Sequence, residues 1–328
     1  MQQRLSWVGL SVGDYVIREL LGEGTFSWVF RAVHNNGSTV KAFKIGKPAE
    51  VIAEGGPTSC IPTKALMKRD GVVSDMVPDS RELLRLQAQK LQELKDPSVI
   101  EVEELVERSA GSFYRMPVIP GQNLRRYMMG GPVAISVFYD LAKCLSRLKE
   151  RNDANYHGDL KPENVMVTPS GAVLIDPGYF GNLHLGKGKT KHQVLNCAVT
   201  SPLYYPCLEP DDLLAFGFML WEAACREQPL SKRVRAKDFD PKHAAPELYQ
   251  KVLSEEEQGN FFLSPILGIK KPSDLRPGIP AEVEKLILKA VRLAPQENGS
   301  MELAAGYTSF AQIADDLVEL TLANITSL

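Results

Sequence analysis

The chain has 328 residues, with 38 Lys and Arg against 40 Asp and Glu, a formal net charge of −2. That balance argues against a bulk polyanion binder, because nucleic-acid domains usually carry a basic excess on one face. At 44% apolar and 24% charged, the composition rules out wholesale disorder, and the length suits two domains or one large two-lobed one.

The first third reads as strands: 14–21, 28–33 and 39–45, split at Gly22-Glu23-Gly24 and at Asn35-Asn36-Gly37-Ser38, a hairpin signal. Prolines and glycines punctuate 46–80, which is expected to be a long insertion with a short helix near 64–69. Ser80 to Leu94 carries Leu84, Ala88 and Leu91 on one helical face, and Asp79 with Glu82 resembles a capping box. Strands are expected at 99–105 and 113–118. Beyond Gly121 the chain turns helical, at 134–149, 213–225, 246–254, 280–293 and 309–325. A small β-rich half thus precedes a larger α-rich half.

Five cysteines, Cys60, Cys144, Cys197, Cys207 and Cys225, form no CxxC pair, so no zinc-ribbon spacing exists and reduced thiols are expected. No signal-peptide pattern opens the chain, and the most apolar run, Leu213 to Cys225, is too short for a bilayer and interrupted by Glu222. These features point to a cytoplasmic protein without a membrane or nucleic-acid partner.

Gly22 and Gly24 lie between two strands, where glycines let backbone N–H groups approach phosphate oxygens. A plain two-glycine turn reads the same residues equally. Lys44 closes an apolar strand and can reach a phosphate as a point charge, or simply snorkel to the surface. His157-Gly-Asp159-Leu-Lys161-Pro-Glu-Asn164 is more specific. It sets a base, a cation and a metal-binding carboxamide in one loop, and Asp176 follows an apolar strand 12 residues past Asn164. Phosphoryl transfer needs that set.

These segments resemble a eukaryotic-like serine/threonine protein kinase of the kind bacteria also carry, over nearly the whole chain. His157 to Asn164 resembles the catalytic loop, Asp176-Pro177-Gly178 the DFG element, Gly22 to Val29 the glycine-rich loop and Lys44 the β3 lysine. Met116 resembles the gatekeeper, and Asp212 the residue that braces the catalytic loop. The resemblance implies an α+β, two-lobed fold. Residues 1–116 would form a small antiparallel lobe with one helix and the 46–80 insertion, and 117–328 a larger helical lobe.

It also implies roles. Asp159 would orient or deprotonate the acceptor hydroxyl, and Lys161 would stabilise the moving phosphoryl group and favour Ser/Thr acceptors. Lys44 would bind the α- and β-phosphates, and Asn164 and Asp176 would hold Mg²⁺. ATP would contact Gly22, Glu23, Gly24, Thr25, Phe26, Ser27, Val29, Ala42, Lys44, Met116, Pro117 and Val118. The acceptor would be an unidentified protein.

Departures from the family pattern carry expectations of their own. Gly158 replaces the usual Arg, so phosphorylation of Thr190, Thr200 or Ser201 is not expected to be required. Pro177 replaces Phe, which removes a swinging-ring switch. The Glu expected to pair with Lys44 aligns with Gln87, with Glu82 as the other candidate. The stretch from Ser201 to Asp212, with Glu209, is shortened. The basic run 186–192 reads as a solvated loop or an acidic-substrate patch, and Trp28 as packing. Two other readings remain: a nucleotide-binding pseudokinase scaffold, and a small-molecule kinase of the aminoglycoside phosphotransferase type.

Overall fold

The computed structural model describes residues 7–24, 26–47, 80–108, 111–152, 156–178, 211–227, 271–297 and 301–328. Thr25, Asp79, the expected helices near 64–69 and 246–254, the body of the 46–80 insertion, the 186–192 run, Thr190, Thr200 and the Ser201–Pro210 stretch lie outside them. The chain divides into two compact units between Pro120 and Gly121.

The first unit is built on one antiparallel sheet. Strands β1 (Ser11–Val12), β2 (Tyr15–Glu23), β3 (Ser27–His34), β4 (Val40–Gly46), β5 (Glu104–Arg108) and β6 (Gly111–Pro117) run in the order β1-β2-β3-β4-β6-β5. Alternation decides which face each side chain takes. Ile17, Trp28, Phe30, Ala32, Phe43, Ile45 and Phe113 share one buried cluster. Ala42, Lys44, Tyr114 and Met116 occupy the alternate positions of β4 and β6. Helix α1 (Ser80–Leu94) packs against these two strands and buries Leu83, Leu84, Ala88, Leu91 and Leu94. Each such leucine contributes about 1.5–3 kcal/mol by leaving water.

The expected strand at 99–105 is displaced. Val99, Ile100 and Val102 are buried, but pairing starts at Glu104, opposite Arg115, and ends with Arg108 opposite Gly111. The tight β5–β6 hairpin sets the register, and the apolar run ahead of it serves packing instead.

The second unit contains β7 (Gln122–Asn123), α2 (Leu124–Met129), α3 (Ile135–Arg151), a 3₁₀ turn (Pro162–Asn164), β8 (Val165–Thr168), β9 (Gly171–Leu174), α4 (Asp212–Cys225), α5 (Pro272–Leu275), α6 (Ala281–Ala290), β10 (Leu293–Pro295), β11 (Met301–Leu303) and α7 (Phe310–Leu322). β7, β8 and β9 form a small antiparallel sheet. Helix α4 is apolar on nearly every side, as a helix at the centre of a core must be. Asp211 caps it by accepting from the Leu214 amide, and Arg226 ends it at φ 61°. Phe216 on α4 meets Phe138 on α3 and Phe310 on α7 edge-on, at 5.7 and 5.8 Å. The expected helix 280–293 stops at Ala290, because Arg292 turns left-handed (φ 59°) and the chain enters the β10–β11 hairpin.

Tyr307 and Lys289 both bond Asp316, at 2.6 and 3.0 Å, joining α6 to α7. Burial and the Asp316 contact push the Tyr307 hydroxyl far above its ordinary value. Burial alone would raise the Asp316 carboxyl, but its bonds to Tyr307 and Lys289 and nearby lysine charge outweigh that and lower it. Cys144 and Cys225 are buried and in no disulfide, and burial pushes the Cys225 thiol up to about 12. Among the described residues no helix is long and apolar enough to cross a membrane.

Candidate active site

The loop between α3 and β8 gathers the acidic and basic groups of the second unit. Its frame is Asp212, the first residue of α4 and only 3% exposed. One carboxylate oxygen accepts from the His157 amide at 2.5 Å, and the other from the Gly158 amide at 3.0 Å. A carboxylate taking two backbone N–H groups fixes the orientation of the peptide planes that carry them. His157, fully buried, adds a second tie. Its Nε2 lies 2.9 Å from the Ile175 carbonyl, and its Nδ1 accepts from the Asp159 amide at 3.3 Å. That pattern assigns the ring proton to Nε2.

Gly158 stands at φ +80°, in the left-handed region that glycine enters without strain. An Arg here would carry a Cβ into that conformation.

Asp159 is 6% exposed. Lys161 Nζ donates to its Oδ2 at 2.6 Å, and Asn164 Nδ2 donates to the same oxygen at 2.9 Å. Asn164 Nδ2 also faces the Asp159 carbonyl at 2.9 Å and the Asp176 carbonyl at 3.1 Å. Three acceptors on one side assign the amide nitrogen there and turn the Asn164 Oδ1 the other way. The structure thus brings Asp159, Lys161, Asn164 and Asp176 together.

Asp176 has φ +51°, an unusual conformation for a residue with a side chain and one that costs about 1–3 kcal/mol. It is clamped on both sides. The Ile175 amide donates to the Asn164 carbonyl at 2.9 Å, and the Gly178 amide to the His157 carbonyl at 2.9 Å. A Cβ on Gly178 would lie 2.1 Å from the Gly158 carbonyl oxygen, so only glycine permits this approach.

The expected residues of the first unit form a row across its sheet. Gly22 faces Val29, Val29 faces Lys44, and Lys44 faces Tyr114. Ala42 lies opposite Met116, and Pro117 closes β6 opposite Lys41, with Val118 just beyond. Lys44 is 3% exposed. Its Nζ donates to Gln87 Oε1 at 3.0 Å and stands 5.9 Å from the centre of the Tyr114 ring. Gln87, one of the two candidate partners, therefore bonds Lys44. The Glu82 side chain lies outside the described residues.

The glycine-rich turn is tied down. The Gly24 amide donates to the Ser27 carbonyl, and the Lys47 amide to the Phe26 carbonyl, at 2.9 and 2.8 Å. Glu23 directs its carboxylate at Lys47 Nζ (2.8 Å) and at the Trp28 indole N–H (3.2 Å). Lys47 also lies 5.5 Å from the Trp28 ring centre. Trp28 is therefore more than packing. Lys47 carries no motif and was not anticipated from sequence.

No protein-family model matches the chain. Its curated relatives are protein kinases. It is 25% identical over 283 residues to the tyrosine-protein kinase MasK of Myxococcus xanthus, covering 75% of this chain and 39% of that protein. It is 22% identical over 311 residues to the serine/threonine-protein kinase PknH of Mycobacterium tuberculosis, covering 92% of this chain and 42% of that one. The chain spans half or less of the length of these curated relatives. Among solved structures, the PknI kinase domain of M. tuberculosis matches at 16% identity and a TM-score of 0.51, covering 95% of this chain and 98% of that chain. PpkA-294 in its apo form matches at 14% identity and a TM-score of 0.54, covering 94% and 98%. The chain has the protein-kinase fold. Its first unit is the sheet lobe of that fold and its second the helical lobe.

Within the kinase fold, two residues close to the loop escaped the sequence reading. Arg125 on α2 donates through Nε to Glu163 at 2.8 Å and through Nη1 to Glu222. Only Glu222 left a signal, as a lone carboxylate in the apolar 213–225 run, where burial demands a partner. Nothing local marked Arg125.

Proposed function

We propose that the chain catalyses ATP- and Mg²⁺-dependent transfer of the γ-phosphoryl group to Ser or Thr hydroxyls of a protein, with 1–116 and 117–328 serving as the lobes of one catalytic domain. The observation that carries this reading is the bonded set of Asp159, Lys161, Asn164 and Asp176, framed by Asp212. The fold and the protein-kinase relatives support it. Lys161 two residues after Asp159, and PknH among the relatives, support a Ser/Thr acceptor; MasK bears a tyrosine-kinase name.

The donor chemistry suits Mg²⁺. One carboxylate (Asp176) and one carboxamide oxygen (Asn164) are hard ligands, and Mg²⁺ usually takes one or two protein carboxylates together with water and substrate phosphates. Held there, Mg²⁺ would neutralise charge on the phosphates. The Asp159 carboxylate would orient the acceptor hydroxyl and receive its proton as the new O–P bond forms and the bond to the β-phosphate oxygen breaks, that oxygen keeping the electron pair. Lys161 would stabilise charge on the moving phosphoryl group, and Lys44 would hold the α- and β-phosphates. The backbone of Gly22 to Ser27 would cover them, since the Glu23 carboxylate is engaged with Lys47. Catalysis of this kind is mainly positioning and charge stabilisation.

The test is transfer of radiolabel from Mg-ATP by wild type and Asp159→Ala, with the chain itself and a generic basic protein as acceptors. Label on Ser or Thr that falls at least about 10²-fold in Asp159→Ala is expected. No label from wild type, with ATP still raising the melting temperature, would overturn the reading in favour of a nucleotide-binding scaffold. Label appearing only on small-molecule acceptors would overturn it in favour of a small-molecule kinase.

A further inference from the structure

We propose that Arg125 is a positioning residue for phosphoryl transfer, a strut that ties the rear of the catalytic loop to α4. The inference rests on the function proposed above. Helix α4 carries two charged residues, Asp212 and Glu222. Asp212 holds the front of the loop directly, through the His157 and Gly158 amides. Glu222 stands ten residues on, about 15 Å further along the helix axis. It bonds Arg125, and Arg125 bonds Glu163 at the rear of the loop. One helix therefore grips the seven residues 157–163 at both ends.

The strut is rigid by construction. Arg125 uses two edges of one guanidinium, Nε toward Glu163 and Nη1 toward Glu222, so the angle between the two bonds is fixed by a planar group. A Lys, with one point of charge, cannot reproduce it. The segment bearing Arg125 is anchored as well. Asn123 caps α2 by accepting from the Arg126 amide, and Leu124 and Met128 are buried. β7 pairs Gln122 with Val167 and Asn123 with Met166. β8 begins immediately after Asn164, so the strand leaving the loop and the helix carrying the strut share one hydrogen-bonded frame.

Glu163 directly precedes Asn164, whose amide spans Asp159 and Asp176. Releasing Glu163 would free the 3₁₀ turn to shift Asn164, and a displacement near 1 Å at such a group costs up to about 10²-fold in rate. Glu163 itself is 43% exposed, whereas Glu222 is 9% exposed. The two ends of the strut can therefore be cut with different consequences for folding.

The experiment compares Glu163→Ala, Glu163→Gln and Arg125→Ala in the full chain, reading kcat, KM for ATP, Mg²⁺ dependence and melting temperature. Glu163→Ala is expected to lower kcat about 10-fold and raise the Mg²⁺ needed for half-maximal rate, as loss of a supporting contact does. Its melting temperature should stay within about 3 °C, because one exposed pair adds little stability. Glu163→Gln keeps an acceptor for Arg125 Nε and should retain most of the rate. Arg125→Ala should lose at least as much rate as Glu163→Ala, and the double variant no more than Arg125→Ala alone. A Glu163→Ala protein with wild-type kcat and Mg²⁺ dependence would overturn the strut. If wild type transfers no phosphate, the proposed function fails separately, and hydrogen exchange over residues 156–165 decides the strut. Faster exchange in Glu163→Ala supports it, and unchanged exchange overturns it.

Discussion

The two units orient their key groups by opposite means. In the sheet lobe, buried Lys44 donates to a neutral amide, Gln87, and lies beside the Tyr114 ring. In the helical lobe, the 157–164 loop hangs on a buried carboxylate, Asp212, that accepts two backbone N–H groups. Each tie is charge-assisted, through the Lys44 ammonium in the first and the Asp212 carboxylate in the second, so bond strength alone does not separate them. Asp212, however, fixes peptide planes, which have no rotamers, whereas Gln87 fixes the tip of a four-carbon chain. The helical lobe is thus built as a set geometry, and the sheet lobe as an adjustable one.

Asp212→Asn should break the stiff side with the largest effect. Asn offers one acceptor where Asp offers two, and its amide would face a backbone N–H in a site only 3% exposed. Leaving a buried donor unsatisfied costs about 1–3 kcal/mol, read by denaturant unfolding. The accompanying shift of His157 and Gly158 should lower kcat about 10²-fold. A variant that keeps wild-type kcat would show that the loop holds its shape without α4.

Gln87→Glu sharpens the soft side with a smaller effect in the opposite direction. Replacing the amide by a carboxylate strengthens the bond to Lys44, and KM for ATP should fall about threefold at little changed kcat. Gln87→Ala should raise KM by a similar factor. Equal KM values in all three proteins would show that Lys44 is oriented by other contacts.

What the sequence disclosed follows the same divide. Ties between residues close in sequence were legible, because a short loop such as 157–164 can hold its chemistry in few conformations. Helix α1 was legible from apolar periodicity, since burial of a face dictates it, whereas α4, apolar on nearly every side, carries no such stripe. Contacts across long separations were legible only where the kinase resemblance supplied them, as for Asp212 with the loop and Lys44 with Gln87. Arg125 meets Glu222 across 97 residues, and Lys47 meets Glu23 across 24, with no pattern linking either pair. The β5 boundary moved because a hairpin register, not hydrophobicity, placed it. Alignment of leucines put Gln87 at the position facing Lys44, and the coordinates show that bond.

The smallest effect tests whether the sheet lobe is adjustable throughout. Lys47 is 4% exposed at its side chain and bonds Glu23, while its own amide bonds the Phe26 carbonyl. Lys47→Met keeps the apolar stem and the backbone bond but removes the charge that latches the glycine-rich turn. The Trp28 indole still bonds Glu23, so the turn is loosened rather than lost. KM for ATP should rise about twofold at constant kcat, the size expected for one partly exposed pair. Trp28 is one of three Trp in the chain, and losing the cation near its ring should change the emission. Lys47→Arg should restore KM, because the charge and its place over the ring are what matter. An unchanged KM beside a changed emission would mean that the latch exists but the turn is already free to close, extending the soft character of the Lys44 tie to the whole lobe. A drop in kcat instead would put the glycine-rich turn under the same rigid control as the 157–164 loop, and the contrast between the two units would fail there.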